Sequence, residues 1–416
     1  MRILHINKYN HERDGVGRYM HDVMRLADAH GHTTAVLAMQ YQKNNSSPWE
    51  HFFVSNLETA RAGKGIDALR QLARTFWSYE AYKKTRAIIS AFKPDVIHAH
   101  NLYTHLSPSV LSAAKDMGIP VVLTAHDYGY ISANYGLFDG VAPISARTSW
   151  REIVKTKCIK DSALATGVVD AIVRIQKKFG MWTNGVTHIL TASEAVRHAL
   201  IEGGYRESLI QSVPLPSGTY DAYENETLIV NRVQRIIFAS RFEKYKGIDV
   251  VMELVTRMPD VEFVCIGHGK EEEELRILAA KAKNLSVISV LPPRELWEMI
   301  RGSAGVIVPS RWPEPFGLVA LEALALGTPA IVSSLGGLSE IVEHGVSGFV
   351  EHPDALDSWE KDIRALLAPK GGKATPGQQE MVKQALARGK RVGDPDQHWE
   401  RLFSVYSEAV HQRASL

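Results

Sequence analysis

Cysteine is nearly absent: Cys158 and Cys265 are the only two in 416 residues. Two cysteines so far apart build no disulfide framework, so a reducing compartment is expected. Long apolar runs are missing too. No stretch approaches the roughly 20 residues that a membrane-spanning helix needs. Met1-Arg2-Ile3-Leu4-His5-Ile6 enters a strand pattern without the blocks of a secretory leader. The expected location is cytoplasmic, or at the inner face of a membrane. Internal repeats at solenoid spacing are also lacking. Net charge is only +2, and no nucleic-acid partner is expected.

The chain is long for one domain and comfortable for two. Its 45% hydrophobic and 23% charged residues are those of an ordinary globular protein. The small net charge hides an asymmetry: residues 1–220 carry +7 and residues 221–416 carry −5. A basic first half marks either an anionic partner or a scatter of solvated lysines.

Short apolar runs alternate with helical patterns throughout. Strands are expected at Ile3–Asn7, Thr33–Met39, Pro94–His100, Pro120–Thr124 and His188–Ala192, with one helix over Ile66–Phe92. Pro214, Pro216, Ser217 and Gly218 open a polar run, after which the alternation restarts at Arg235. Such alternation implies α/β architecture with parallel sheets covered on both faces. The expected division is a first doubly wound domain over 1–215, a linker over 216–234, a second doubly wound domain over 235–396 and a final helix over 397–416.

One stretch, Pro309 to Ala323, carries the densest chemistry. Val306-Ile307-Val308 ends as a buried strand, and Pro313 and Pro315 then hold the backbone extended. Gly317 permits a tight turn, and a helix starts at Leu318. Glu314 therefore lies in the loop and Glu322 about one turn into the helix. Amides at a helix start favour an anion or polar oxygen, and two carboxylates beside them suit a ligand rich in hydroxyls. The competing reading is a plain turn with two solvated glutamates.

Ligands of doubly wound sheets bind beyond the carboxyl ends of the strands, and four further groups fall there. Asp14-Gly15-Val16-Gly17 opens a helix after the first strand, but Tyr19 and Met20 replace the glycine that a dinucleotide fingerprint needs. Asp14 also suits a helix cap. His126 follows a strand and can exchange a proton near neutral pH, or serve as a structural histidine. His98 and His100 end a neighbouring strand, and the spacing of the three fits no zinc signature. In Ser240-Arg241-Phe242-Glu243-Lys244-Tyr245-Lys246-Gly247, two cations five residues apart suit a diphosphate. Gly267 and Gly269 end the next strand.

Glu314-Pro315-Phe316-Gly317-Leu318-Val319 with Glu322 resembles the signature of the retaining glycosyltransferases of family 4. Arg241 with Lys246-Gly247, the Gly267 turn, Ser334 to Glu340 and His126 resemble the family as well. Gly15 matches the second glycine of its Gly-Gly loop, with Asp14 replacing the first. The resemblance implies the GT-B fold: two Rossmann-like domains facing a cleft, with the C-terminal helix crossing back to the first. It implies metal-independent, retaining transfer of a hexose from a nucleotide-diphosphate sugar, with no cofactor beyond that substrate. Arg241 and Lys246 would stabilise the departing diphosphate. Glu322 would hold the ribose, and Phe316, Gly317, Leu318 and Val319 would help bind the donor. Glu314 would hold the transferred sugar, with His126 and the Gly15 loop meeting it from the first domain.

Two rivals stay open: a GT-B enzyme without an acceptor, such as a sugar-nucleotide epimerase, and a silent sugar-nucleotide-binding protein. For the acceptor, the expectation is a glycan, a lipid-linked molecule or a small molecule. Two basic amphipathic stretches point to peripheral membrane contact through the first domain. One pairs Leu69, Leu72, Phe76 and Trp77 with Arg70, Arg74, Lys83, Lys84 and Arg86. The other pairs Ile153, Val154, Val168, Val169, Ile172 and Trp182 with Lys155, Lys157, Lys160, Lys177 and Lys178. The apolar members of each would otherwise face the domain core.

Overall fold

The computed structural model describes residues 1–12, 15–56, 66–103, 105–219, 228–369 and 372–414. The chain forms two compact units. Residues 1–137, 145–213 and 396–416 make the first, and residues 138–144 and 214–395 make the second.

In the first unit, β1 (Arg2–Ile6), β2 (Thr33–Leu37), β3 (Val96–Ala99), β4 (Val121–Ala125), β5 (Val186–Thr191) and β6 (Ile210–Ser212) form a parallel sheet ordered β2-β1-β3-β4-β5-β6. Helices cover both faces of such a sheet, so strands need not alternate. Every residue of β4 is buried, as is every residue of β3. The final helix, Pro395–Ala414, packs into this unit. Its Tyr406 hydroxyl lies 2.6 Å from His98 Nδ1, and Trp399 stacks on His30. The return of the last helix to the first domain is therefore as the resemblance implies.

The expected helix over Ile66–Phe92 is two helices, Ile66–Phe76 and Tyr79–Phe92. Ser78 makes the break. Its hydroxyl accepts from the Ala81 amide as an N-cap, while its own amide donates to Ser107 Oγ. Leu69 of the first basic stretch has a side chain outside the described residues, and Phe76 is exposed.

In the second unit, β7 (Val233–Ala239), β8 (Glu262–Ile266), β9 (Leu285–Ile288), β10 (Ser303–Val308), β11 (Ala330–Ser333) and β12 (Gly348–Glu351) form another parallel sheet. Its order is β12-β11-β10-β7-β8-β9. Counted within the unit this is 3-2-1-4-5-6 read from β9, so the direction of winding reverses between β7 and β10. Phe238, Phe242, Phe263, Met258 and Trp359 fill the core on one side of the sheet.

Of the expected linker, residues 220–227 lie outside the described ones. The flanks are fixed: the Ser217 amide donates to the Gly393 carbonyl, and buried Arg232 donates to Thr328 Oγ1 and to the carbonyls of Ser303 and Leu326. Among the described residues no helix is long and apolar enough to cross a membrane.

Candidate functional site

The loop after β7 and the loop after β10 leave neighbouring strands at the reversal of the second sheet. Phe242 anchors the first loop. Its ring is fully buried beside Phe238, and its amide donates to the His268 carbonyl at the end of β8. That anchor turns Arg241 outward and starts the short turn Lys244–Lys246. Gly247 follows with φ 77°, and a Cβ there would lie 1.9 Å from the Pro309 carbonyl oxygen. Only glycine lets these two backbones approach so closely.

The approach brings Lys246 Nζ to 2.6 Å from Glu314 Oε1, with both side chains largely buried. Ser310 Oγ donates to the same oxygen at 2.7 Å. The Glu314 backbone is held from the other side by the Gly337 amide, which donates to its carbonyl at 2.7 Å. Gly336 (φ 72°) makes that possible, because a Cβ there would lie 2.4 Å from the Glu314 oxygen. Burial works to raise the Glu314 pKa, but the Lys246 charge and the hydrogen bonds from Lys246 and Ser310 outweigh it. The net result is a carboxylate below its ordinary 4.5.

Arg241 is exposed, with its guanidinium carbon 5.3 Å from the centre of the Tyr245 ring. Lys246 Nζ lies 4.9 Å from the Trp312 ring, which meets Tyr245 edge to face. Arg311 ties the two loops together: its amide donates to the Tyr245 carbonyl, and its guanidinium pairs with Asp249 and Asp354.

Beyond Glu314, Phe316 is buried and Gly317 packs against Leu338. The helix Leu318–Ala325 then begins without any side-chain cap. Its first residues, Leu318 and Val319, are half-buried, and amides at a helix start have no acceptor within the helix, while Glu322 is 1% exposed. Gly267 ends β8 against the Ser240 carbonyl. Arg241, Lys246, Gly267, Glu314, Phe316 and Gly317 thus lie on loops at one end of one sheet, with Leu318, Val319 and Glu322 in the first turns of the helix that follows. The array offers two cations, fixed carboxylates and free amides, which is a set suited to phosphate oxygens and hydroxyls.

Gly15 and His126 belong to the first unit. Gly15 begins the helix Gly15–Ala29, and Asp14 lies outside the described residues. His126 follows β4, partly exposed, with Nε2 3.2 Å from His100 Nδ1. Burial of the ring pulls its pKa down to about 3, so it is neutral at pH 7. The histidine set is larger than the strand ends suggested. His5 pairs in register with His98, and its Nδ1 lies 3.3 Å from His100 Nε2. The sequence held a faint signal, since His98 and His100 share one face of a strand by alternation.

The model described as Glycosyltransferase Family 4 matches residues 13–216, and that described as Glycosyl transferases group 1 matches residues 220–386. D-inositol 3-phosphate glycosyltransferase of Pseudarthrobacter chlorophenolicus is 27% identical over 329 residues, covering 76% of this chain and 70% of that one. Granule-bound starch synthase 1 of Pisum sativum is 29% identical over 252 residues, or 56% of this chain and 40% of its own. Among solved structures, sucrose-phosphate synthase from Thermosynechococcus elongatus superposes with a TM-score of 0.67 at 16% identity, over 98% of both chains. Anabaena HepE in complex with UDP-glucose does so with a TM-score of 0.61 at 16% identity, over 100% of both chains.

Proposed function

Since the chain belongs to glycosyltransferase family 4 and has the GT-B fold, we propose that it is a metal-independent, retaining hexosyltransferase whose donor is a nucleotide-diphosphate sugar. The observation that carries this reading is the buried Lys246–Glu314 pair beside exposed Arg241, at the point where the second sheet reverses its winding.

In this reading Arg241 and Lys246 neutralise the diphosphate as the sugar leaves, a preorganised electrostatic stabilisation that needs no proton bookkeeping. The uncapped amides of Leu318 and Val319 add a further positive end to the diphosphate side. Glu322 holds the ribose hydroxyls. Glu314 directs Oε1 at Lys246 and Ser310, which leaves Oε2 to meet a hydroxyl of the transferred sugar. His126 and the Gly15 loop are the first unit's candidates for contact with substrate.

For the acceptor, a glycan or lipid-linked molecule at a membrane surface is favoured by one patch of the first unit. Leu164 (79% exposed), Phe179 (72%), Ile175 and Trp150 reach solvent from the helices Trp150–Thr156 and Ala163–Lys178. Lys155, Lys157, Lys160 and Lys178, on the same stretch of chain, are exposed as well. Exposed apolar side chains accompanied by cations suit an anionic lipid headgroup layer. The apolar set expected from sequence was different in part, because Ile153 and Trp182 turn inward and are buried.

Thermal shift with UDP-, GDP- and ADP-sugars tests the donor class, since a ligand bound by the folded state raises its apparent stability. UDP-glucose is the first choice, as the ligand of HepE. Product NMR then reports the anomeric configuration. No shift with any nucleotide sugar, or an inverted product, would defeat the reading.

A further inference from the structure

Three imidazoles of the first unit form a line that runs from the core to the surface. His5 Nδ1 lies 3.3 Å from His100 Nε2, and His100 Nδ1 lies 3.2 Å from His126 Nε2. The His5 and His100 rings are within 8° of parallel, with centroids 5.6 Å apart. The His100 and His126 centroids are 5.5 Å apart at 29°. Each centroid separation exceeds its nitrogen separation by about two ring radii, so the rings meet edge to edge, as in-plane N–H···N bonds require.

His5 and His100 are fully buried, while His126 is partly exposed. Burial lowers all three pKa values, that of His5 to about 3, so the line is neutral at pH 7. A neutral imidazole carries one N–H and one bare nitrogen. Three such rings joined by two hydrogen bonds have only two proton arrangements. In one, every proton points towards the surface: His5 Nδ1–H donates to His100, and His100 Nδ1–H donates to His126. His126 then keeps its proton on Nδ1. In the other, every proton points inward, and His126 Nδ1 is bare.

The two arrangements make the same internal bonds and differ only at their ends. At the inner end, His5 Nε2 is buried and meets no hydrogen-bond partner. The inward arrangement would strand an N–H there; the outward one strands a lone pair. Orphaned buried N–H groups are the rarer defect in folded proteins. We propose that His5, acting through His100, fixes His126 as the Nδ1–H tautomer, so that His126 offers a hydrogen-bond donor to a substrate oxygen. His5 and His100 are then positioning residues, not catalytic ones. The identity of that oxygen as one of the sugar or acceptor rests on the function proposed above; the tautomer does not.

An ion between the histidines is the competing use of the cluster. His5, His98 and His100 bring one ring nitrogen each within 4.8 Å of the others. His98, however, commits Nδ1 to Tyr406 and Nε2 to Thr124, at 2.6 and 2.7 Å. A ligand set of three would have to break one of those bonds.

Two-bond ¹H–¹⁵N correlation spectra of histidine-labelled, ligand-free protein test the proposal, with His126 assigned by the peaks lost in His126→Gln. The expected pattern has Nδ1 protonated and Nε2 bare. In His100→Phe, which cuts the line, His126 Nε2 loses its donor and His126 should become a mixture with a raised Nε2–H fraction. In His5→Asp, which offers His100 only an acceptor, the line should turn inward and leave His126 Nδ1 bare. Nε2–H in the wild type, or an unchanged single tautomer in both variants, would overturn the proposal. The wild-type spectrum decides the tautomer even if neither variant folds. A zinc titration that moves His5 and His100 peaks at stoichiometric metal would overturn it in favour of an ion. Because these spectra need no substrate, a failed tautomer and a failed glycosyl-transfer reading give different results.

Discussion

Lys246 Nζ and Glu314 Oε1 stand 2.6 Å apart across two loops, on side chains only 14% and 10% exposed. Arg241, by contrast, is exposed, and its guanidinium lies over the Tyr245 ring. The two cations assigned to one diphosphate therefore differ in what their loss does. Arg241→Ala should cut turnover by about two orders of magnitude, the scale of one lost transition-state contact, and leave thermal stability unchanged. Lys246→Met should cut turnover as much and also destabilise the fold by about 3–5 kcal/mol, because it leaves a buried carboxylate unpaired. Steady-state kinetics beside denaturant melts separate the two outcomes. EDTA should alter neither variant nor wild type, and restoration of activity by added Mg²⁺ or Mn²⁺ would count against the cation pair.

The same pair makes a signed pH prediction. The folded-state pKa of Glu314 is lowered from 4.5, so its contribution to stability is present above 4.5 and is lost as pH falls through the folded value. Without Lys246 the strongest opponent of burial is gone, and the Glu314 pKa moves upward. The stability gap between wild type and Lys246→Met should therefore narrow as pH drops from 7 to 4 in urea titrations. A constant gap would show that the pair is not linked to protonation.

Glu314 and Glu322 were assigned to different halves of the donor. Glu322→Ala should weaken binding of both the free nucleoside diphosphate and the intact donor. Glu314→Ala should spare the nucleoside diphosphate and impair use of the sugar. Calorimetry with each ligand decides between them, and a reversed pattern would exchange the two roles.

Gly247 is the hinge point of the loop that presents Lys246. Gly247→Ala adds a Cβ 1.9 Å from the Pro309 carbonyl oxygen at φ 77°. Left-handed strain alone costs roughly 1–2 kcal/mol, and the clash must add to it. Unfolding free energy should fall by at least about 2 kcal/mol, and donor affinity should fall more than stability predicts, since the loop must retreat from Glu314. Full donor affinity in this variant would show that the approach of the two backbones is dispensable.

The exposed patch around Leu164 and Phe179 predicts salt-sensitive recovery with anionic vesicles. Phe179→Asp with Leu164→Glu should abolish co-sedimentation without lowering the melting temperature, because both side chains already face solvent. Equal and negligible recovery of the wild type with neutral and anionic vesicles would remove the membrane from the reading.

Much of the second sheet was legible because its strands are continuous apolar runs bounded by glycine and proline, and its loops carry the family's residues in one dense block. The edge strands Ile210–Ser212 and Gly348–Glu351 were not, since three or four residues are too few to show a period. The break between the helices Ile66–Phe76 and Tyr79–Phe92 escaped notice for another reason: Ser78 caps the second helix only because Ser107, far along the chain, satisfies its amide. At the site, the residue types of Arg241, Lys246 and Glu314 could be read in order, but their pairing could not. Whether Lys246 meets Glu314 depends on the depth to which Gly247 lets one backbone sink against another. The line from His5 to His126 was hidden likewise, because strand register, not spacing in sequence, sets His5 beside His98.

The helix Pro395–Ala414 gives the first unit the last of its three chain segments. During synthesis on a ribosome, the second unit has all of its residues once Pro395 has emerged. The first unit began to appear nearly four hundred residues earlier, yet it still lacks Trp399 and Tyr406 at that point. The rings of His98 and His30 must wait for them in the meantime, so the domain made first is the one completed last.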